Sequence, residues 1–362
     1  MLAVNKTTEE KTNKNRYPVY SSQTLNNGLL GYYHEYLYED TITWTTDGNA
    51  GTVNFRSGKF YCTNVCGVLL SKKVKADKMI AEALNNVAKS YVSYAGNPKL
   101  MNNVMAGVEI MIPTNEEERE KISNIFATLD HLITLNQLKL EKLKNIKQSL
   151  LEKMLPKNNA DKPQIRFKGH TYAWKQVKLK TLADFLRGNG LNWDAISQNG
   201  KQDCILYGHL YTDYGMIIDK VLYRTNEKLK NPFFSKFGDV LIPGSGHTPN
   251  GLARATSIEK DDVLIGGDVN IIRPRKSING SYLSLCLNSC RNKLIQIIKG
   301  SIVRHIHNSD IKEIKVHVSI HEKEQALLVS IFKNIDNLLA LHQRKCEKLQ
   351  NIKEAILEKM FC

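Results

Sequence analysis

The sequence predicts an α+β protein: two domains of mixed β-sheet with helices, each followed by a long α-helix, the two helices pairing as an antiparallel coiled coil. Three observations predict it. One long amphipathic segment occurs twice, at a constant offset of 206 residues. Short β-type runs, separated by Gly, Asn and Asp turns, precede each copy. No run of about 18 apolar residues exists, so no membrane-spanning helix is expected.

The repeat comes first because it sets the architecture. Residues 125–154 read IFATLDHLITLNQLKLEKLKNIKQSLLEKM, and residues 331–360 read IFKNIDNLLALHQRKCEKLQNIKEAILEKM. They align without a gap and about 17 of 30 positions are identical. Weaker similarity continues upstream, where Glu116 and Glu118 match Glu322 and Glu324. Apolar residues recur at three-four spacing: Ile122, Ile125, Leu129, Leu132, Leu143, Ile146 and Leu150, then Leu328, Ile331, Ile335, Leu338, Leu349, Ile352 and Ile356. Neither interior contains Pro or Gly. The first copy opens after Pro113-Thr114-Asn115 on a glutamate run, which suits a helix N-terminus, and stops at Pro156. About 38 residues of helix would be near 57 Å long. Such a helix needs a partner for its apolar stripe. Each copy could pack on its own domain; near-heptad spacing and polar Glu/Lys flanks favour pairing with the other copy. Asn136 and its counterpart His342 fall near the seam, either fixing register or facing solvent.

The chain length allows two ordinary domains: 362 residues, 42% of them apolar. The first domain is placed at 1–112 and its helix at 113–157. It carries β-type runs at residues 17–23, 41–48 and 61–69, then a helix near 77–91. A polar linker at 158–163 lies between Pro156 and Pro163. The second domain, 164–318, repeats the plan. Residues 205–210 sit where the Tyr17 run sat, 239–244 correspond to 40–45, and 265–272 to the Cys62 strand. A helix near 282–299 follows, and then the second long helix at 319–362. The second domain has about 40 residues before Ile205 and the first only 16 before Tyr17, so the first reads as N-terminally abbreviated.

Charge narrows the function. Lys and Arg number 51 against 36 Asp and Glu, a formal net charge of +15. Such an excess favours a polyanionic partner, most often nucleic acid. The polar start has no apolar core, so no secretory signal is expected. Seven scattered cysteines suit a reducing cytoplasm better than a disulfide framework. Enzyme motifs are weak. Gly244-Ser245-Gly246 lacks the Gly-Lys-Ser/Thr of a phosphate-binding loop. Asn231-Pro232-Phe233-Phe234 lacks the second proline of an adenine-methyltransferase motif and a cofactor loop before it. Asp310, Glu313 and Lys315 are spaced too closely for a nuclease site. Cys62/Cys66 and Cys286/Cys290 lie on apolar segments and read as core thiols, not zinc ligands. No catalytic residue and no metal site is expected.

The order domain–helix–domain–helix, with near-duplicate helices, resembles the specificity (S) subunit of type I restriction–modification enzymes over nearly the whole chain. The residues that carry the resemblance are LEKLKNIKQSLLEKM and CEKLQNIKEAILEKM, the glutamate-rich entries after Ile112-Pro113, and the loops Trp44-Thr45-Thr46-Asp47-Gly48 and Gly244-Ser245-Gly246-His247-Thr248-Pro249. The opening Trp174-Lys175-Gln176-Val177-Lys178-Leu179 of the second domain also fits. The resemblance implies two target-recognition domains, each reading half of a split double-stranded DNA site. It also implies a helical ruler that sets the gap, and a cytoplasmic complex with two methyltransferase (M) subunits; a restriction (R) subunit is left open. S-adenosylmethionine and ATP would be bound by those partners, and this chain would carry no cofactor. A site of about 14 base pairs is near 48 Å, similar to the helix length. A coiled-coil scaffold with incidental basic charge is the alternative.

Base reading needs donors and acceptors on loops. In the first domain Ser21, Ser22, Gln23, Thr45, Thr46, Asp47 and Asn49 qualify. In the second, His209, Tyr211, Ser245, His247, Thr248, Asn250 and Arg254 do. Phosphate contacts are expected from Lys72, Lys73, Arg273, Arg275, Lys276, Arg291 and Arg304. Taken singly, each of these is more often a turn residue or a solvated charge; as clusters on equivalent loops the base-edge candidates favour contact.

Overall fold

A computed structural model describes residues 7–23, 25–157 and 160–361. Residues 1–6 of the expected first domain, and Asn158 and Asn159 of the expected linker, lie outside the described residues. The chain is α+β and divides into two compact units, residues 1–138 with 342–362, and residues 139–341. Each unit holds one sheet-bearing head and a part of both long helices.

In the first unit, strands β1 (Tyr17–Tyr20), β2 (Leu29–Tyr33), β3 (Tyr38–Thr45), β4 (Val53–Cys62) and β5 (Cys66–Leu69) form one sheet in the order β2-β1-β4-β3-β5. Only β1 and β4 pair in parallel; the other neighbours are antiparallel. Helix α1 (Lys78–Ala88) starts where the Asp77 carboxylate accepts the Ile80 N–H at 2.8 Å. Its small residues Ala81 and Ala88, with Leu84, pack on Ile42, Trp44, Val53 and Leu100. The Trp44 indole N–H donates to the Leu100 carbonyl at 3.2 Å, so this large core side chain leaves no polar atom unmet. A short helix, α2 (Asn102–Met105), leads to the long helix α3 (Glu116–Lys153). Asn115 caps α3 by accepting the Glu117 N–H at 2.8 Å, and Glu116, Glu117 and Glu118 set negative charge at its positive end.

In the second unit, β7 (Ala183–Arg187), β9 (Ile217–Ile218), β11 (Asp239–Pro243), β13 (Thr256–Ile258) and β15 (Val269–Pro274) form a sheet in the order β7-β15-β11-β13-β9. Every residue of β11 is buried, as a central strand covered on both faces requires. Strands β8 (Gln202–Ile205), β10 (Tyr223–Thr225) and β14 (Leu264–Ile265) make a smaller sheet. Two-stranded pairs join β6 (Lys175–Lys178) to β17 (Lys315–Val318), and β12 (Ser245–Gly246) to β16 (Arg304–His305). The helices of this head are α4 (His209–Thr212), α5 (Pro249–Leu252), α6 (Gly280–Ser289), α7 (Arg291–Gln296) and α8 (Asn308–Ile311). The long helix α9 (Glu322–Met360) follows. Tyr282 and Leu283 of α6 pack with Trp174, Ile242 and Ile272 in the main core.

The repeated segments contact each other inside each unit. In the first, Ile122 and Phe126 of α3 pack with Met79, Ile356, Leu357 and Phe361. Lys353 binds Asp130 at 2.7 Å, and the His342 Nδ1 lies 2.8 Å from the Asn136 Oδ1. The Asn136 amide nitrogen already donates to Leu132, so its oxygen accepts and the His342 Nδ1 carries the proton. In the second unit, Leu151, Met154 and Leu155 pack with Leu328, Val329 and Phe332, and Lys147 pairs with Asp336.

Four sequence expectations change. The run 61–69 is divided by a turn, in which the Cys66 N–H donates to Thr63, between β4 and β5, and the run 265–272 is divided between β14 and β15 by a turn with Asp268 at a positive φ of 56°. Residues 205–210 are not one strand: β8 ends at Ile205, and the chain turns into α4, because the His209 Nδ1 accepts the Leu206 N–H at 3.1 Å and closes a turn. The helix expected near 282–299 breaks at Cys290, whose φ of −106° and ψ of 33° leave the helical region, so α6 and α7 are separate. Among the described residues, no helix is long and apolar enough to cross a membrane.

Candidate nucleic-acid interface

The loop candidates of the first unit fall on two neighbouring turns. Ser21, Ser22 and Gln23 follow β1; the Gln23 amide donates to the Leu29 carbonyl, and the Thr63 hydroxyl donates to the Ser21 hydroxyl at 3.2 Å. Thr45, Thr46, Asp47 and Asn49 form the β3–β4 turn. The segment 63–65 lies between these turns, since the Thr63 N–H donates to Tyr20 and the Thr46 N–H donates to Val65. Thr45 is buried, its hydroxyl donating to the Asn49 carbonyl and accepting the Thr52 N–H. It shapes the turn and offers nothing outward. Asp47 lies 3.6 Å from Lys99, while Ser21, Ser22, Thr46 and Asn49 remain part-exposed. Lys72 and Lys73 are exposed beyond β5.

In the second unit, seven candidates form one linked cluster. The Tyr211 hydroxyl donates to the Ser245 carbonyl, and Arg254 donates to the carbonyls of Tyr211 and Tyr214. Arg304 donates to the His247 carbonyl, and Arg291 to the Asn250 carbonyl. Three side chains, Tyr211, Arg291 and Arg304, thus fasten the backbone of residues 245–250, Arg254 holds Tyr211 in turn, and His247 and Asn250 stay exposed at the tip. Thr248 starts α5, accepting the Gly251 N–H at 3.1 Å, with Pro249 in the first turn. Gly246 is required by close approach: a Cβ there would lie 2.2 Å from the Tyr211 hydroxyl oxygen.

Two base-edge candidates of this unit are internal. His209 is 0% exposed, with its ring stacked on Tyr223 at 3.6 Å and edge-on to Trp193. Burial pushes its imidazole down to about 4, so it is neutral at pH 7. Ser245 is buried and bonds Asp268 at 3.1 Å. Both side chains are buried and serve the loops, His209 by accepting the Leu206 N–H and Ser245 by bonding Asp268.

The phosphate candidates separate likewise. Arg273 is a structural cation, binding the buried Asp239 through Nε at 2.8 Å and Nη2 at 2.7 Å. Arg275 pairs with Asp184 at 3.1 Å, and Lys276 is exposed. Arg291 and Arg254 line one cleft with Asn250, together with Lys144 and Lys293, which the sequence reading passed over. Burial, and then the nearby Arg291 charge, hold the Arg254 guanidinium below its usual value. The carboxylates nearest to a nuclease pattern are tied down: Asp310 binds Lys299, and Glu313 binds Lys178 and Lys180. The described cysteines are free thiols, and no cluster of three or more His, Cys, Asp or Glu residues could hold a metal ion among the described residues.

Comparison with known proteins adds the family. The type I restriction modification DNA specificity domain matches twice, over residues 3–145 and 172–351. A Mycoplasma pneumoniae protein named for the N-terminus of a type I specificity subunit is 43% identical over 120 residues, 31% of this chain and 62% of that protein. The specificity subunit of the type I restriction enzyme MpnII, from the same organism, is 39% identical over 117 residues, 32% of this chain and 35% of that protein. The chain therefore aligns with less than two thirds of the length of these relatives. The crystal structure of the type I restriction-modification system S subunit from M. genitalium superposes with a TM-score of 0.70 at 14% identity, covering 100% of this chain and 92% of that one. That likeness is one of fold. With two matches covering most of its residues, this chain belongs to the type I restriction modification DNA specificity domain family.

Proposed function

We propose that this chain is the sequence-specific DNA-recognition subunit of a type I restriction–modification complex. Each recognition domain, 1–112 and 164–318, reads one half of a bipartite site. The spacer helices, 113–157 and 319–362, set the gap and dock two M subunits, with R subunits joining for cleavage. Methyl transfer from S-adenosylmethionine and ATP-dependent steps belong to those partners; this chain contributes specificity. In this reading the helices pair as an antiparallel coiled coil. Support comes from Asp130–Lys353, Ile133–Cys346 and Asn136–His342, where position rises along α3 as it falls along α9. The repeat supports it too: Lys147–Asp336 is the same pair as Lys353–Asp130, moved by 206 residues.

The observation that carries the reading is the braced segment 245–250, which presents polar groups on a strongly basic chain. Its test is a gel shift on genomic fragments, with and without a co-expressed methyltransferase partner. Sequence-selective retention with the partner is expected; no DNA binding even then refutes the reading. The ruler has its own test. Four residues inserted near Gln137 add about 6 Å of helix, roughly two base-pair rises. Methylation mapping should show a longer gap between unchanged half-sites. Changed half-sites would refute the ruler.

A further inference from the structure

The second unit contains a cleft of about 1210 Å³ lined by Lys144, Lys147, Lys157, Arg254, Arg291 and Lys293. Carboxylates answer two of these six cations: Asp336 binds Lys147, and Glu152 binds Lys157 at 3.0 Å. The others meet no carboxylate among the described residues. Arg254, Arg291 and Lys293 donate to backbone carbonyls, of Tyr211 and Tyr214, of Asn250, and of Lys315. A carbonyl satisfies a donor without cancelling its charge. The Arg291 Nε is buried and has no partner among the described residues. An unmet buried donor and like charges in a partly desolvated cleft both cost free energy.

An anion relieves both costs. A single carboxylate would answer one of four cations, whereas phosphoryl groups carry more charge and more acceptor oxygens. Gln148, Asn292 and Gln296 supply neutral amides, and Leu151 and Leu339 an apolar wall. The volume lies somewhat above the range of about 300–1,000 Å³ usual for small-ligand sites and far exceeds that of one ion. We propose that this cleft seats a phosphate-bearing anion with at least two phosphoryl groups, held by Arg291 and Lys144. Free oligophosphate and a stretch of DNA backbone share that chemistry. The inference does not depend on the specificity reading, because its first test contains no DNA.

That test is calorimetric titration of the full chain with inorganic tripolyphosphate. Saturable binding is expected for the parent protein and for K228Q, which removes an exposed lysine outside the lining residues. In the double variant R291Q/K144Q it should weaken at least about tenfold, the loss expected for charge-assisted hydrogen bonds. R291K, which keeps the charge but lacks the Nε donor, should fall between them and serves if the double variant melts early. The second test measures duplex affinity against salt. A slope shallower by about two in R291Q/K144Q identifies DNA backbone as the occupant; an unchanged slope with lost tripolyphosphate binding identifies a free phosphate ligand. No saturable tripolyphosphate binding together with an unchanged slope overturns the proposal, and so does equal weakening by K228Q. Failure of the specificity reading shows separately, as loss of sequence selectivity in the parent protein.

Discussion

Replacing Glu82 by Gln should loosen the first head from both long helices. Glu82 sits on α1, only 5% exposed, at the centre of a four-charge square. Lys78 lies 2.7 Å from Glu82 and 2.5 Å from Asp130; Lys353 lies 2.9 Å from Glu82 and 2.7 Å from Asp130. Two lysines and two carboxylates balance. The substitution keeps the shape and leaves two lysines sharing one carboxylate. Stripping one partner from a buried ion pair costs about 3–5 kcal/mol. The lysines keep 18% and 21% of their side-chain exposure, so solvent screens part of this and the low end, about 3 kcal/mol, applies. For a unit of this size, that is a drop of roughly 6–12 °C in melting temperature.

The assay is thermal and urea unfolding of the full chain, with native-state hydrogen exchange on α1 to assign the loss. A second substitution tests the mechanism. K353M in the E82Q background restores charge balance, leaving Lys78 with Asp130. The double variant should be more stable than the sum of the single losses by at least about 1 kcal/mol. Single losses below about 1 kcal/mol, or strict additivity, would refute the square as the joint. The joint has a pH signature. Burial raises the Asp130 carboxyl, but hydrogen bonds from Lys353 and Lys78 outweigh it and leave it below its usual range. Its contribution is therefore complete above the ordinary carboxylate range and is lost only as pH falls below it.

The second unit should respond to acid at a higher pH. The His209 imidazole is held at about 4 instead of 6.5, so the unfolded chain takes up a proton that the folded chain refuses. Stability is complete above about pH 6.5 and falls toward pH 4, by about 3 kcal/mol. His209→Asn retains an acceptor for the Leu206 N–H and should flatten this slope while costing stability at pH 7; an equal slope in urea midpoints would sink the assignment. Gly67→Ala should open the first core, because a Cβ there would lie 2.2 Å from the Trp44 ring. Red-shifted tryptophan emission and a lower urea midpoint are expected, and an unchanged spectrum would show that the ring has room to move.

Much of the helical architecture was legible in the chain itself. The three-four spacing from Ile122 to Leu150, the glutamates at 116–118 and Pro156 all act over one or two turns, and α3 runs from Glu116 to Lys153 as they require. The β3–β4 turn was marked by Asp47-Gly48, a local signal of the same kind. The break at Cys290 and the turn at His209 were not, because apolar alternation looks the same in a strand and in a short buried turn.

The candidate site divided along a similar line. Residue type drew attention to the loop after Gly244, and that loop is where seven candidates converge. Residue type could not separate His247, exposed at the tip, from His209, sealed against Tyr223. Nor could it show that Arg273 serves Asp239 while Arg291 faces an uncompensated cleft with Lys144. Burial and charge pairing depend on residues distant along the chain, which only the folded backbone brings together. The sequence by itself determined that two like helices follow two unlike heads, because periodicity and repetition are written in neighbouring residues. Tertiary structure decided that Lys353 completes a square with Asp130, Lys78 and Glu82. It also decided which cations of the cleft meet a carboxylate and which do not, since a side chain's partners are chosen by distance in space.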